Sequence, residues 1–373
     1  MSLGNMELLK TPLYDLHIKN SGKMVDFTGY SLPIQYSGMG IIKEHLHVRE
    51  SVGLFDVSHM GQVIISSANK DPAIYLEKII PSDLQSLEKG KMRYSVLLNK
   101  DGGIIDDLII SRLSDNEFFI VVNAACKKND IKYLKNQISD DIKIKLLDDR
   151  GQIALQGKHS EEILFKLIPE VKNLKFMNLD HFSYLNEKGY VTRTGYTGED
   201  GFEISLPSSV IEKFTKELLK DKRVSLTGLG ARDSLRLEAG LTLYGHELSE
   251  TITPVEAGIK WIIQETRREK ANFLGANKIL NQIKNGIERK RVGILPNTKA
   301  PIRDGVELID NDGKNVGMVT SGGFSPSLSK PIAMAYLDLA CVKGNKKFYA
   351  LLRGKKIDCE VTKLPFIEHK YKR

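Results

Sequence analysis

Cysteine is scarce in this chain of 373 residues: Cys126, Cys341 and Cys359 are its three. They are too few and too widely spaced for a disulfide framework, and no Cys-x-x-Cys pair or Cys/His cluster offers tetrahedral ligation of zinc. A reducing compartment and a site without metal are expected. Long apolar runs are missing too. The longest, near Phe118–Cys126, is interrupted by Asn123 and falls well short of the ~18–20 residues a membrane helix needs, so no membrane contact is expected. Met1 to Leu13 has neither the apolar core of a secretory signal nor an Arg-rich amphipathic pattern, and the expected setting is cytoplasmic, or the mitochondrial matrix for a processed eukaryotic chain. Nor does one sign of charge form a block. Lys and Arg total 55 against 47 Asp and Glu, a net +8, but the basic residues are scattered among acids without a sustained basic helix, so nucleic acid is not an expected partner. A mild excess suits a polyanionic small molecule or an acidic protein partner, whose encounter an opposite field speeds.

What remains is the composition of a folded protein, 41% hydrophobic and 27% charged, and at ~150 residues per domain its length allows two or three domains. Three blocks are expected, over 1–142, 143–285 and 286–373. In the first, Phe27–Gly40 is rich in Gly, Ser, Pro and Tyr and reads as a loop leading into a helix over Ile41–Val52. Strands at Gln62–Ile65, Tyr94–Leu98, Ile104–Ile110 and Phe118–Asn123 mix with helices at Ala73–Ile80 and Lys127–Gln137. Asn99–Gly103 supplies a hairpin turn. The second block mixes strands and helices in the same way and ends in a polar helical connector, Gln264–Asn285. Short apolar runs from Val292 to Lys363, separated by turn formers such as Asp312-Gly313 and Gly322-Gly323, read as an all-β barrel or sandwich. The class is α+β, with hairpins that argue against a purely parallel sheet.

Three segments could carry chemistry. In Gly102-Gly103-Ile104-Ile105-Asp106-Asp107-Leu108 two carboxylates enter an apolar strand; side chains alternate faces there, so one of the pair is expected to turn away from any given pocket. In Arg193-Thr194-Gly195-Tyr196-Thr197-Gly198-Glu199-Asp200-Gly201-Phe202-Glu203 the glycines suggest a loop whose backbone approaches a ligand closely, with Glu203 following at the start of a strand. It is neither a Walker loop nor a Rossmann fingerprint. In Gly228–Gly240 a helix carries Arg232 and Arg236 four apart, and an exposed, ion-paired face is its plain reading. His59 and His246 stand alone in turn-like contexts and read as structural hydrogen-bonding groups.

Taken in order, Asp56–Gly61, Gly102–Leu108, Val122-Asn123-Ala124, Gly195–Ile204, Ala231–Gly240, Thr253–Gly258, Thr320–Lys330 and Leu364-Pro365-Phe366 resemble the aminomethyltransferase family, the T-proteins of the glycine cleavage system, from about Thr11 to Phe366. The resemblance implies two α+β folate-binding domains enclosing a central channel plus a C-terminal all-β barrel. It also implies an enzyme using tetrahydrofolate as co-substrate and lipoylated H-protein as partner. It carries a catalytic role beside the reacting folate nitrogens to Asp107, and folate contacts to Asn123, Glu203 and Arg232. Tyr196 and Tyr94 would wall the flat ring, and Tyr371 matches a tyrosine at the folate site, although Glu368-His369-Lys370 departs from the family pattern. A carboxylate such as Glu203 suits the adjacent N–H donors of a 2-amino-4-oxo pterin.

Relatives on the same scaffold leave alternatives. A tetrahydrofolate-dependent demethylase of a small sulfonium or methylated amine shares much of the pocket, and a non-enzymatic folate-binding regulatory protein is a third class. The iron–sulfur maintenance relatives carry a cysteine-containing segment where this chain has Thr253–Trp261.

Overall fold

Thr28 and Gly29 both take positive φ, 53° and 84°, the geometry of a two-residue hairpin turn whose twist matches that of its strands. They join Gly22–Phe27 to Tyr30–Tyr36 in a two-stranded sheet. The expected loop over Phe27–Gly40 is therefore largely a strand. Pro33 and the mixed polarity hide it, and the sheet tolerates Pro33 because both strands are edges and the register shifts beside it. The helix that follows, Gly40–Glu50, forms as expected.

The computed structural model describes residues 7–139, 141–344 and 346–373. Its contacts divide into two units that the chain enters more than once. The first comprises residues 1–61, 147–235 and 370–373, the second 62–146 and 236–369.

The first unit is built on a six-stranded sheet in the order Leu179–Tyr184, Glu187–Thr192, Gly201–Pro207, Arg150–Gln156, Val52–Asp56, Val224–Leu226. All pairs are antiparallel except the last. Val52–Asp56 comes from the first sixty residues yet lies between strands drawn from beyond position 147, and all five of its residues are buried, as an inner strand requires. The helix Ser208–Leu218 buries Ile211, Phe214 and Leu218, at helical spacing, against Leu54, Leu155, Phe202 and Ile204.

The second unit holds a five-stranded sheet, ordered Met92–Leu98, Ile104–Ser114, Glu117–Val122, Gly61–Ser66, Lys143–Leu146, and a closed six-stranded barrel between Arg289 and Thr362. The barrel bears out the expected C-terminal all-β domain, and the two sheets with their helices bear out the α+β class. One face of the five-stranded sheet packs Leu97, Leu108, Ile110 and Ile120 against Leu76, Ile79 and Leu134. The other packs Val96, Leu98 and Ile104 against Leu248, Ile263 and Ile279. The turn at Asn99–Gly103 needs its glycines: Gly102 has φ 75°, and a Cβ on Gly103 would fall 1.7 Å from the Glu250 carbonyl oxygen. Among the described residues no helix is long and apolar enough to cross a membrane, and no cluster of His, Cys, Asp or Glu could hold a metal ion.

Candidate active site

In the second unit, the strand Ile104–Ser114 alternates buried and half-buried residues as far as Ile110, and past the register shift that turns Ile104 to the opposite face Asp106 points inward with Leu108 and Ile110 while Asp107 lies on the other face. The alternation holds for the backbone, yet neither carboxylate turns away from the other's partner. Asn123, just past the strand Glu117–Val122, donates from Nδ2 to Asp106 Oδ1 at 2.9 Å and to Asp107 Oδ1 at 2.7 Å, and its N–H donates to Asp106 Oδ2 at 3.1 Å. Because Asn123 sits beyond the last strand pair, its amide lies at the sheet end where both faces can be reached. The expectation that one carboxylate is lost to the site is corrected accordingly.

Tyr94 completes the cluster. Its hydroxyl donates to Asp107 Oδ2 at 3.0 Å and lies 3.0 Å from Thr242 Oγ1, which is left to donate to it. Trp261, with 59% of its surface exposed, stacks on the Tyr94 ring at 5.9 Å between centroids and 29° between planes. Burial, and then the neighbouring Asp106 charge, push the pKa of Asp107 up to about 7, against the two hydrogen bonds that favour its anion. Asp107 is thus poised to change charge at neutral pH.

In the first unit, Glu203 and Gln152 stand diagonally on paired strands, and Gln152 Nε2 donates to Glu203 Oε2 at 3.3 Å. The guanidinium of Arg232 lies 4.9 Å from the centroid of the Tyr196 ring. Burial raises the pKa of Glu203 while the Arg232 charge draws it back; burial lowers that of Arg232 while Glu203 and then Tyr196 oppose. Two buried atoms here have no hydrogen-bond partner, Gln152 Oε1 and Arg232 Nη1, which is costly unless a ligand supplies one. The helix that presents Arg232, Leu229–Glu238, is entered through a buried carboxylate: Glu44 accepts from the Tyr36 N–H at 2.6 Å and the Gly228 N–H at 2.8 Å.

One plain reading of the sequence is refined and another corrected. The glycines of the Gly195–Gly201 loop make room for the protein itself: a Cβ at Gly195 would meet Gln156 Oε1 at 1.9 Å, and one at Gly201 would meet the Leu155 carbonyl oxygen at 2.4 Å. The Gly228–Gly240 helix does not end in an exposed ion-paired face. In the second unit Arg236, 2% exposed, pairs with Glu247 at 3.0 Å and donates to Ser321 Oγ at 2.9 Å, while Glu238, fully buried, accepts from Ser325, Ser327 and the Ser327 N–H.

The structure therefore brings Tyr94, Asp107 and Asn123 together in one unit, and Tyr196, Glu203 and Arg232 together in the other. Tyr371 belongs to the first unit, where its ring stacks on Phe176 at 4.1 Å. His59 sits edge-on to Phe27, and His246 Nδ1 lies 3.0 Å from the Thr320 carbonyl oxygen, both structural settings. Sequence reasoning missed Trp261, Thr242 and Gln152. Trp261 had a usable signal as the chain's one tryptophan, whereas a Gln on a strand or a Thr in a loop has none.

Comparison with known proteins adds the following. The family model described as the GCVT N-terminal domain matches residues 13–267, and that of the glycine cleavage T-protein C-terminal barrel domain matches 289–368. A mitochondrial aminomethyltransferase of Dictyostelium discoideum is 42% identical over 385 residues, covering 98% of this chain and 94% of the relative. One of Flaveria pringlei is 43% identical over 376 residues, covering 98% and 91%. The crystal structure of the glycine cleavage system aminomethyltransferase T from Bartonella henselae superposes with a TM-score of 0.92 at 40% identity, covering 98% of this chain and all of that one.

Proposed function

The chain belongs to the glycine cleavage T-protein family of aminomethyltransferases, and on that premise we propose that it moves the one-carbon unit from the aminomethyl-dihydrolipoyl arm of H-protein to tetrahydrofolate. The carbon–sulfur bond breaks, the amine leaves as ammonia, and the products are 5,10-methylenetetrahydrofolate and dihydrolipoyl H-protein. The observation that carries the residue assignment is the Tyr94–Asp107–Asn123 cluster: a half-buried carboxylate clamped by two donors and close to neutrality in its ionisation.

Asp107 is the catalytic residue in this reading. Held by Tyr94 and Asn123, its carboxylate stabilises positive charge as the iminium-like carbon forms and the folate nitrogen attacks it, a fixed group in a partly desolvated setting. Positioning supplies much of the remaining rate.

The unpartnered atoms in the first unit fit a pterin. Glu203 and Gln152 Oε1 are acceptors for adjacent ring and amino N–H groups, and Arg232 Nη1 is a donor for a ring oxygen. Tyr196, beneath the Arg232 guanidinium, offers a flat face, and Tyr371, half-buried against Phe176, is assigned to the same co-substrate. The setting inferred is the cytoplasm, or the mitochondrial matrix of a eukaryote; the three unpaired cysteines suit either reducing compartment, and the mitochondrial naming of the relatives supports the second. The test is folate-dependent ammonia release from aminomethylated H-protein by the purified chain. Absence of release, with methyl transfer from dimethylglycine or a sulfonium donor instead, would replace the substrate assignment.

A further inference from the structure

Asn123 is the hub of the second-unit cluster by backbone as well as side chain. Its carbonyl accepts from the N–H of Cys126 at 3.1 Å and of Lys127 at 2.9 Å, which turns the chain into the helix Lys127–Gln137. One turn in, the N–H of Asp130 bonds the Cys126 carbonyl at 2.9 Å, and the Asp130 side chain points back under the hub toward Asp106. Asp130 is completely buried, and neither of its carboxyl oxygens meets a donor.

A bare carboxylate in that position would be both desolvated and set against a second anion. Two carboxyls in contact are stable only when a proton lies between them. Asp106 already accepts two N–H bonds from Asn123, so it is the better anion of the two, and the proton falls to Asp130.

We propose that Asp130 is a positioning residue that carries a proton and donates it to Asp106, fixing Asp106 as the anion that holds Asn123 against Asp107. The groups that face this pair point the same way. Asp107 and Asp106 lie on the neighbouring strand, Cys126 at the start of the helix, and Tyr244 on the segment packed beside them; all are neutral or acidic, and burial raises the pKa of Cys126 and Tyr244. Burial followed by the Asp106 charge pushes Asp130 up to about 9, so it keeps its proton across the range in which Asp107, near 7, loses its own.

The consequence for catalysis rests on the reading of Asp107 as the working carboxylate; the protonation of Asp130 does not, and the two are tested separately. Infrared spectra at pH 8 of the whole chain and of Asp130→Asn are expected to differ by the carbonyl band of one protonated carboxyl, present in the parent and lost in the variant. The same band persists in Asp107→Asn. A parent spectrum that loses no such band on Asp130→Asn overturns the proposal, whatever the enzyme's substrate.

The kinetic arm follows ammonia release against pH. Asp130→Ala removes the donor, makes Asp106 easier to protonate and lets Asp107 ionise more readily, so the acid limb of kcat is expected to move down by about half a pH unit or more with the folate KM nearly unchanged. Asp130→Asn keeps an N–H donor and restores the limb. An unmoved limb in Asp130→Ala, or equal shifts in both variants, refutes the positioning role. If Asp130→Ala does not fold, the infrared comparison on Asp130→Asn decides.

Discussion

The hydroxyl of Tyr94 reaches diagonally across two paired strands to donate to Asp107 at 3.0 Å. That bond fixes the rotamer of a carboxylate which burial would otherwise leave neutral, and it ties the acid to an aromatic ring on which Trp261 stacks. Tyr94→Phe is expected to lower kcat by about 10-fold while leaving the fold intact, because one hydrogen bond to a charged group is worth about 1.5–3 kcal/mol. It should also raise the acid limb of the rate profile, since a bond favouring the anion is lost. Steady-state ammonia release from pH 5.5 to 8.5 measures both.

Replacing Asp107 itself is a larger change. Asp107→Asn should reduce turnover by about 10²-fold or more with folate affinity within a few-fold. Asp106→Asn removes the charge that holds the pKa of Asp107 up and should shift the acid limb to lower pH with a smaller loss of rate. A larger loss from Asp106→Asn than from Asp107→Asn would reverse the assignment.

The same ionisation leaves a mark on stability. The folded-state pKa of Asp107, near 7, lies above the value of an unfolded aspartate, so its contribution is fully present below the unfolded pKa and is lost as pH rises through about 7. Asp107→Asn cannot ionise. Its melting temperature should therefore exceed the parent's at pH 8 and match it near pH 4, as scanning calorimetry at the two pH values would show.

Glu203 and Arg232 call for a binding measurement. Glu203→Ala should cost roughly 2–4 kcal/mol of tetrahydrofolate affinity by calorimetric titration, with Glu203→Gln less damaging because an amide keeps one acceptor. Arg232→Met removes the charge that restrains the pKa of Glu203, so folate affinity in that variant should fall further at pH 6 than at pH 8. Unchanged affinity in Glu203→Ala would move the pterin elsewhere.

Arg236 and Glu247 form a buried pair, both nearly or fully excluded from solvent. Arg236→Met leaves Glu247 without its guanidinium and should destabilise the chain by about 3–5 kcal/mol, read as a lower denaturation midpoint in urea.

Much of this was legible in the sequence where the information is local. Ile104–Ile110 alternates as a strand, the apolar runs beyond Val292 announce the barrel, and Gly102-Gly103 marks the hairpin. The ordered motifs led to Asp107, Asn123, Glu203 and Arg232, which the fold gathers into two clusters. What stayed hidden depends on distant pairing or on chemistry that sequence position disguises. Pro33 masked the strand Tyr30–Tyr36. Nothing near Val52–Asp56 announces that its neighbours are Arg150–Gln156 and Val224–Leu226. Strand alternation separates Asp106 from Asp107 but is silent about a residue such as Asn123 that stands past the strand end. Asp130, in the first turn of a helix, looks like an ordinary partner of the helix dipole, and only its burial, with no donor at either carboxyl oxygen, sets it apart.

The placement of Val52–Asp56 also governs the order of events at the ribosome. Its partners are synthesised roughly 90 and 170 residues later, a delay on the order of 5–30 s at common elongation rates. Through that interval Val52, Leu54 and Phe55, which end with 1% or less of their surface exposed, form an unpaired, sticky ribbon with open hydrogen-bonding edges on both sides. The nascent chain is thus a natural client for a holding chaperone. Slowing translation between Asp56 and Arg150 should lengthen that exposure and lower the soluble yield without touching a residue of the finished enzyme.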